Sequence, residues 1–147
     1  MQSEQIADLE RRGMLGAHAY SHVPLARLDG QALRRELEAN LVALEAASGR
    51  RPGIVSYPYG SVDAVDRSVA EAAAQAGLTA GFTMERAFNR SLEDPLLLAR
   101  LDCVDAPGGR RPLFRHDDPL GSDALLPSAR ARYLDEASLA SEANATP

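Results

Sequence analysis

The chain has 147 residues, with 45% hydrophobic residues, 25% charged residues and a formal net charge of −5. This length corresponds to about one domain. The acidic balance lacks the basic footprint of a protein that binds nucleic acid or an anionic membrane, so we expect neither partner. No apolar run reaches the roughly 20 residues of a membrane span. The first residues lack a signal-peptide pattern, so the chain as written is expected to be cytoplasmic.

Helical and strand-like patterns alternate along the first hundred residues. Helices are predicted to begin near residues 3, 29 and 63 and to end at glycines 13, 49 and 77. Asp29 is the expected N-cap of the second helix, and Ser61 and Asp63 are expected caps at the third. Buried strands are predicted at 14–17, 54–57, 78–83 and 96–104. This alternation predicts right-handed crossovers and a parallel sheet with helices outside it.

The character of the sequence changes after residue 106. Residues 107–112 are rich in glycine and proline and are typical of a linker, and residues 128–140 could form one weak helix. The remaining tail has the composition of a poorly ordered segment. We therefore divide the chain into a domain at 1–106 and a linker with a poorly ordered tail at 107–147.

Two histidines, His18 and His22, lie four positions apart directly after a predicted strand. In a parallel α/β sheet, the loops beyond the carboxyl ends of the strands are where functional sites are built. Neutral imidazole is a good ligand for Zn²⁺ and similar ions, so the pair is a candidate metal site. Two surface-loop histidines, with Tyr20 packed beside them as an anchor, are the alternative on spacing alone.

A second motif, at residues 55–61, follows the next predicted strand. Pro58, Tyr59 and Gly60 predict a tight, rigid turn at the same edge of the sheet. A rigid turn can aim a backbone N–H at a developing oxyanion, which needs donors fixed in advance. By itself, the motif is more typical of a turn that merely ends a strand.

Taken together, the two motifs resemble the polysaccharide deacetylase family (carbohydrate esterase family four, the NodB-homology domain). The resemblance rests on Gly-x-His-x-x-x-His-x-x-Leu at 16–25, an amphipathic helix, and then a strand followed by Tyr-Pro-Tyr-Gly at 57–60. Further similarity extends over roughly residues 3–105. The resemblance implies an α/β fold of the (β/α) barrel type. It also implies metal-dependent hydrolysis of N- or O-acetyl groups on carbohydrate.

The resemblance assigns roles to individual residues. His18 and His22 correspond to two ligands of a divalent metal ion, and zinc is the expected ion. The backbone N–H of Tyr59 corresponds to the oxyanion donor, which makes Tyr59 the candidate catalytic residue. Tyr57 and Pro58 are the candidate substrate-binding residues, with a place in the core as the alternative for Tyr57. The implied partner is an acetylated carbohydrate.

The sequence also departs from the family pattern. The two family aspartates precede the histidine motif, but here only Asp8 does, and its predicted place in the middle of a helix excludes it as a ligand. We therefore expect a partial barrel that lacks the first strands, with weak metal binding and little or no turnover. Ala19 replaces a common Ser or Thr, and Ser56 stands where many members have Arg.

Four other residues are assigned structural roles. His116 is predicted to be a solvated loop residue, and Arg100 and Asp102 an inward-facing ion pair, with lining of the barrel mouth as the alternative. Cys103 is expected to be a small buried residue at a strand end, because a lone cysteine cannot form an intrachain disulfide.

Two further functional hypotheses stay open. The chain could be a deacetylase relic that binds glycan or a partner, or a small standalone metal-binding α/β protein. A partial barrel exposes sheet edges, so the chain alone should oligomerise, aggregate or be marginally stable, and a homo-oligomer would cover those edges.

Overall fold

A computed structural model of the protein describes residues 2–89 and 91–112. Its helices are α1 (Ser3–Arg11), α2 (Gly30–Ser48) and α3 (Arg67–Gln75), and its strands are β1 (Ile54–Ser56) and β2 (Ala80–Phe82). Two short 3₁₀ helices, Leu25–Arg27 and Pro95–Leu97, lie in the connecting segments. None of the helices in this part of the chain is long and apolar enough to cross a membrane.

The sheet is parallel, as the alternating pattern predicted. β1 pairs with β2 in the register Ile54–Ala80, Val55–Gly81 and Ser56–Phe82. Single parallel bridges extend it on both sides, one joining Ala17 to Val55 and one joining Phe82 to Leu98. Four successive chain segments therefore run side by side in sequence order, and their carboxyl ends meet at one rim.

α2 forms where its sequence pattern predicted it. The Asp29 carboxylate caps the helix by accepting hydrogen bonds from Gln31 N–H and Ala32 N–H at 2.9 and 2.8 Å. Leu33, Leu37 and Leu41 are buried against the sheet. Gly49 ends the helix in the left-handed region with φ 83°. At this end, an ion pair between Arg50 Nε and buried Glu10 Oε1 (2.5 Å) ties α1 to the chain just beyond α2.

The core lies between the helices and one face of the sheet. Val55 and Val69 are fully buried in it, together with Leu25, Val65 and Ala73. Burial of such side chains contributes about 1.5–3 kcal/mol for each large aliphatic residue. The core therefore holds the rim of the sheet and its loops in a fixed relation to α2.

The predicted start of the third helix is wrong. Asp66 caps α3, with its carboxylate accepting the Val69 N–H at 2.9 Å. Residues 61–65 instead form a turn in which the Ser61 carbonyl accepts hydrogen bonds from Ala64 N–H and Val65 N–H, both at 2.9 Å. Ser61 and Asp63 are therefore not caps of a regular helix.

All four predicted strands are shorter than expected, and two of them are reduced to single bridges. Residues 14–17 contribute only the bridge at Ala17, and Met14 is 61% exposed. Residues 96–104 contribute only the bridge at Leu98, because Pro95 starts a 3₁₀ turn before it and the chain turns again after residue 100. The α/β class is confirmed. Closure of a partial barrel and the division at residue 106 stay predictions, since the described residues end at 112.

Candidate active site

His18 directly follows the bridge between Ala17 and β1. The Ala17 N–H donates to Ile54 O at 2.8 Å, and the Ser56 N–H donates to Ala17 O at 3.0 Å. This pairing places the His18 side chain at the carboxyl end of β1. The His18 Nδ1 atom lies 2.5 Å from Ser56 O.

This contact sets the tautomer of His18. A carbonyl oxygen only accepts hydrogen bonds, so Nδ1 must carry the proton and Nε2 keeps its lone pair. Metal-ligating histidines usually donate their other ring N–H in this way, which fixes the ring orientation. The His18 ring is therefore held in the form that can ligate a metal through Nε2.

His22 lies beside His18 at the same rim. The two ring centroids are 4.9 Å apart in an edge-to-face arrangement, and both side chains are exposed. The Tyr59 ring stands 5.1 Å from His22, also edge to face. The predicted convergence of the two motifs is thus present in the structure.

The turn after β1 is tight and strained at Tyr59. The Gly60 N–H donates to Pro58 O at 2.7 Å, which closes a three-residue turn with Tyr59 at φ 61°. A Cβ at Gly60 would lie 2.6 Å from Met84 N, so only glycine fits there. Within residues 2–89 and 91–112, the Tyr59 N–H has no hydrogen-bond acceptor. This donor is fixed in place and open to a ligand.

Backbone strain concentrates at the site. Ala19, His22 and Tyr59, at φ 56°, 53° and 61°, are the residues other than glycine with positive φ in the described part of the chain. Each such conformation costs roughly 1 kcal/mol or more, so it persists only where surrounding contacts enforce it. Such residues cluster at functional sites, which supports this rim as the site.

The predicted substrate-binding residues are buried. Tyr57 has no exposed surface, and its hydroxyl donates to Leu96 O at 2.9 Å. Burial raises the pKa of the Tyr57 phenol well above its ordinary value. Pro58 is also fully buried. The structure matches the alternative in which Tyr57 is a core residue. A sugar cannot contact Tyr57 or Pro58 while both side chains are buried.

Two residues on α2 belong to the site but were missed from the sequence. Glu36 and Asn40 accept hydrogen bonds from the backbone of the histidine loop, which we define as residues 18–22. Neither residue was assigned a role from the sequence, and only their spacing of about one helical turn could have singled them out.

Other predicted roles are corrected. Arg100 and Asp102 form no ion pair within the described residues: the Arg100 guanidinium contacts Met84 Sδ at 2.7 Å, and Asp102 accepts the Val104 N–H at 3.0 Å. Hydrogen bonds from Val104 N–H and then from Cys103 lower the pKa of Asp102. Cys103 is exposed rather than buried. The segment turns to the surface here instead of continuing a strand.

The remaining predictions at the site have separate outcomes. Asp8 lies within α1, where the sequence predicted it, and pairs with Arg11 at 2.8 Å. His116 lies outside the described residues. Ser56 contributes its backbone carbonyl rather than its side chain.

The side chains at this site supply only part of the ligand set that a metal ion needs. The two imidazoles suit zinc, and His18 is already in the ligating tautomer. Within residues 2–89 and 91–112, however, no group of three or more His, Cys, Asp or Glu side chains could hold a metal.

The fold and the site together are those of an α/β protein with paired histidines at the carboxyl rim of a parallel sheet. The chain belongs to the polysaccharide deacetylase family, whose family model matches residues 1–81. The recognition made from the two motifs is therefore confirmed. No curated protein matches the chain.

Two solved structures share the fold. The BpsB deacetylase domain from Bordetella bronchiseptica has a TM-score of 0.57 at 18% identity, covering 69% of this chain and 48% of that one. IcaB from Ammonifex degensii has a TM-score of 0.57 at 21% identity, covering 68% and 47%. The chain thus spans just under half the length of these neighbours.

Proposed function

We propose that this chain is part of a metal-dependent deacetylase acting on acetylated carbohydrate. The proposal is carried by one observation, the convergence of His18, His22 and the open Tyr59 N–H at a single rim. Membership of the polysaccharide deacetylase family supports the substrate class. Zinc is the proposed ion, since two imidazoles suit it.

Each residue has a distinct proposed role. His18 and His22 bind the ion, with the Ser56 carbonyl orienting the His18 ring. The chemistry that a divalent ion would supply, if held there, is polarisation of a carbonyl and a lower pKa of a bound water. The Tyr59 N–H donates to the carbonyl oxygen as it gains negative charge during attack by water. The acyl C–N or C–O bond then breaks, the departing sugar nitrogen or oxygen takes up the proton lost by the attacking water, and acetate is released.

Hydrolysis also needs a base that accepts the proton of the attacking water. Within the described residues, no carboxylate joins the two histidines in a metal-binding group. We propose that the 147-residue chain does not supply the base and the third ligand itself, and that it therefore has little or no turnover. Acetate release from an acetylated chitooligosaccharide by this chain would contradict that proposal.

The metal site is tested by equilibrium dialysis with Zn²⁺. Binding should be present in the wild-type chain and lost in His18→Ala and in His22→Ala, because two imidazoles cannot be replaced by one. The third histidine supplies a matched control, and His116→Ala should bind as the wild type does. Binding that survives both site variants would disprove the proposed site.

The incomplete donor set favours a second candidate, a non-catalytic relic that binds glycan or a partner. The two candidates differ in what restores activity. Supplying the chain with an upstream Asp-Asp segment of the family type should produce acetate release if the first candidate is right. A chain so extended that binds Zn²⁺ but stays inactive would favour the relic.

A further inference from the structure

The histidine loop is bound to α2 at three backbone positions. The Glu36 carboxylate accepts hydrogen bonds from Tyr20 N–H at 3.2 Å and from Ser21 N–H at 2.8 Å. Its other oxygen accepts the Ser21 hydroxyl at 2.8 Å. One helical turn further on, Asn40 Oδ1 accepts the His18 N–H at 2.9 Å. Two side chains thus occupy the backbone donors at 18, 20 and 21.

These contacts fall where the loop is strained. Tyr20 and Ser21 lie between Ala19 and His22, both of which have positive φ. A residue with a Cβ leaves this conformation unless its neighbours are held. Glu36 holds the two residues between the strained positions, and Asn40 holds the residue before them.

α2 is a rigid support for these two side chains. Leu33, Leu37 and Leu41 fix one face of the helix in the core, while Glu36 and Asn40 project toward the loop. Glu36 remains an anion at this position. Desolvation by partial burial opposes its charge, but hydrogen bonds from Ser21 and Tyr20 outweigh that cost and lower its pKa.

We propose that Glu36 and Asn40 are positioning residues that set the distance and orientation between His18 and His22. The inference rests on the proposed metal site, since it concerns how that site is shaped. Neither residue contacts the two imidazole rings. Both act through the backbone that carries them.

The test compares Zn²⁺ affinity in the 147-residue chain with Glu36→Gln and Asn40→Ala. Loss of outer hydrogen bonds around a metal site typically weakens metal affinity 10- to 100-fold, and we expect about 10-fold for each variant. Glu38→Gln is the matched control, because Glu38 is exposed on the same helix and pairs with Arg51 instead of the loop. Its affinity should equal that of the wild type.

Amide hydrogen exchange separates positioning from general stability. The amides of Tyr20 and Ser21 should exchange faster in Glu36→Gln, and that of His18 faster in Asn40→Ala, with the amides of β1 unchanged. Ser21→Ala removes only the hydroxyl contact, so it supplies a milder variant if Glu36→Gln does not fold. It should weaken Zn²⁺ binding by a smaller factor.

The outcomes are distinguishable. Faster loop exchange with unaltered Zn²⁺ affinity in all three variants would overturn the positioning role while leaving the metal site intact. No His18-dependent binding in the wild type would instead overturn the proposed metal site, and this inference with it. A weaker affinity in Glu38→Gln, equal to that in Glu36→Gln, would also reject a specific role for Glu36.

Discussion

Two regions of the molecule are held together in different ways. The helix–strand region, residues 14–83, is built from backbone pairing and from helices with an apolar face. The irregular region, residues 84–89 and 91–112, depends on individual side-chain bonds. Asn89 exchanges two hydrogen bonds with Ala99, at 2.8 and 2.9 Å, and Arg86 binds the buried Asp105 carboxylate through two nitrogens.

This difference explains which parts of the fold can be predicted from a periodic sequence pattern. Strands and helices with one buried face produce a periodic apolar pattern in the sequence, and their backbone pairing tolerates many different side chains. A specific ion pair produces no periodic pattern. The two regions also meet at the rim, where Met84 N–H donates to Gly60 O at 2.8 Å. A cavity of about 480 Å³, lined in part by Arg86, Arg100 and Arg111, lies in the irregular region.

The sharpest test of the comparison removes the ion pair of the irregular region. Arg86→Ala leaves the buried Asp105 without its partner. Removing one partner of a buried pair costs 3–5 kcal/mol, but Arg86 is 51% exposed, so solvent screening reduces our expectation to about 2 kcal/mol. Urea unfolding should measure this loss in the free energy of unfolding.

Arg110→Ala is the control for that experiment, since Arg110 is exposed and has no ion pair within the described residues. It should change the free energy of unfolding by less than ~0.5 kcal/mol. Amide exchange in Arg86→Ala should accelerate in residues 99–111 but not in β1. Equal acceleration in both regions would mean that they do not differ in the way described.

A smaller effect is expected where the regions are joined. Tyr57→Phe removes the hydrogen bond from the Tyr57 hydroxyl to Leu96 O, leaving a carbonyl without that donor. The free energy of unfolding should fall by about 1 kcal/mol. Tyr20→Phe, at a 63% exposed side chain, is the matched control and should be neutral. If Tyr57→Phe is equally neutral in urea unfolding, this bond does not couple the regions.

The smallest effect concerns α2 and its pH dependence. Hydrogen bonds from Ala32 N–H and Gln31 N–H lower the pKa of Asp29 below its ordinary value of 3.8. The stabilisation is therefore complete above the unfolded value and is lost as pH falls through the lower folded value. Asp29→Asn keeps a good cap without the titration, so its stability should decline less in acid. Identical acid unfolding curves would contradict this assignment.

The success and failure of sequence prediction follow this division only in part. α2 was predicted at both ends because a capping aspartate, a stripe of leucines and Gly49 all agree. Before α3, Asp63 and Asp66 offer the same capping chemistry, and only the turn closed by the Ser61 carbonyl decides between them. Residues 96–104 have an apolar pattern, but the pairing stops at Leu98.

The candidate site was predictable in part. His18, His22 and Tyr59 were brought together by one rule, that the carboxyl ends of parallel strands meet at the same rim. The burial of Tyr57 and Pro58 could not be deduced from the sequence. For Tyr57, the reason is that an aromatic ring with a polar hydroxyl suits a core and a binding surface equally well. The roles of Glu36 and Asn40 could not be predicted from the sequence, because both side chains accept hydrogen bonds from backbone N–H groups of another segment.

The hydrogen bond that orients His18 ends on a main-chain oxygen, Ser56 O. Every amino acid has this atom, so no exchange of the residue at position 56 deletes the acceptor. The identity of that side chain is free to drift through evolution, or to be redesigned, while the imidazole keeps its proton on Nδ1. The orientation of the His18 ring therefore depends on the backbone of β1 and not on the side chain at position 56.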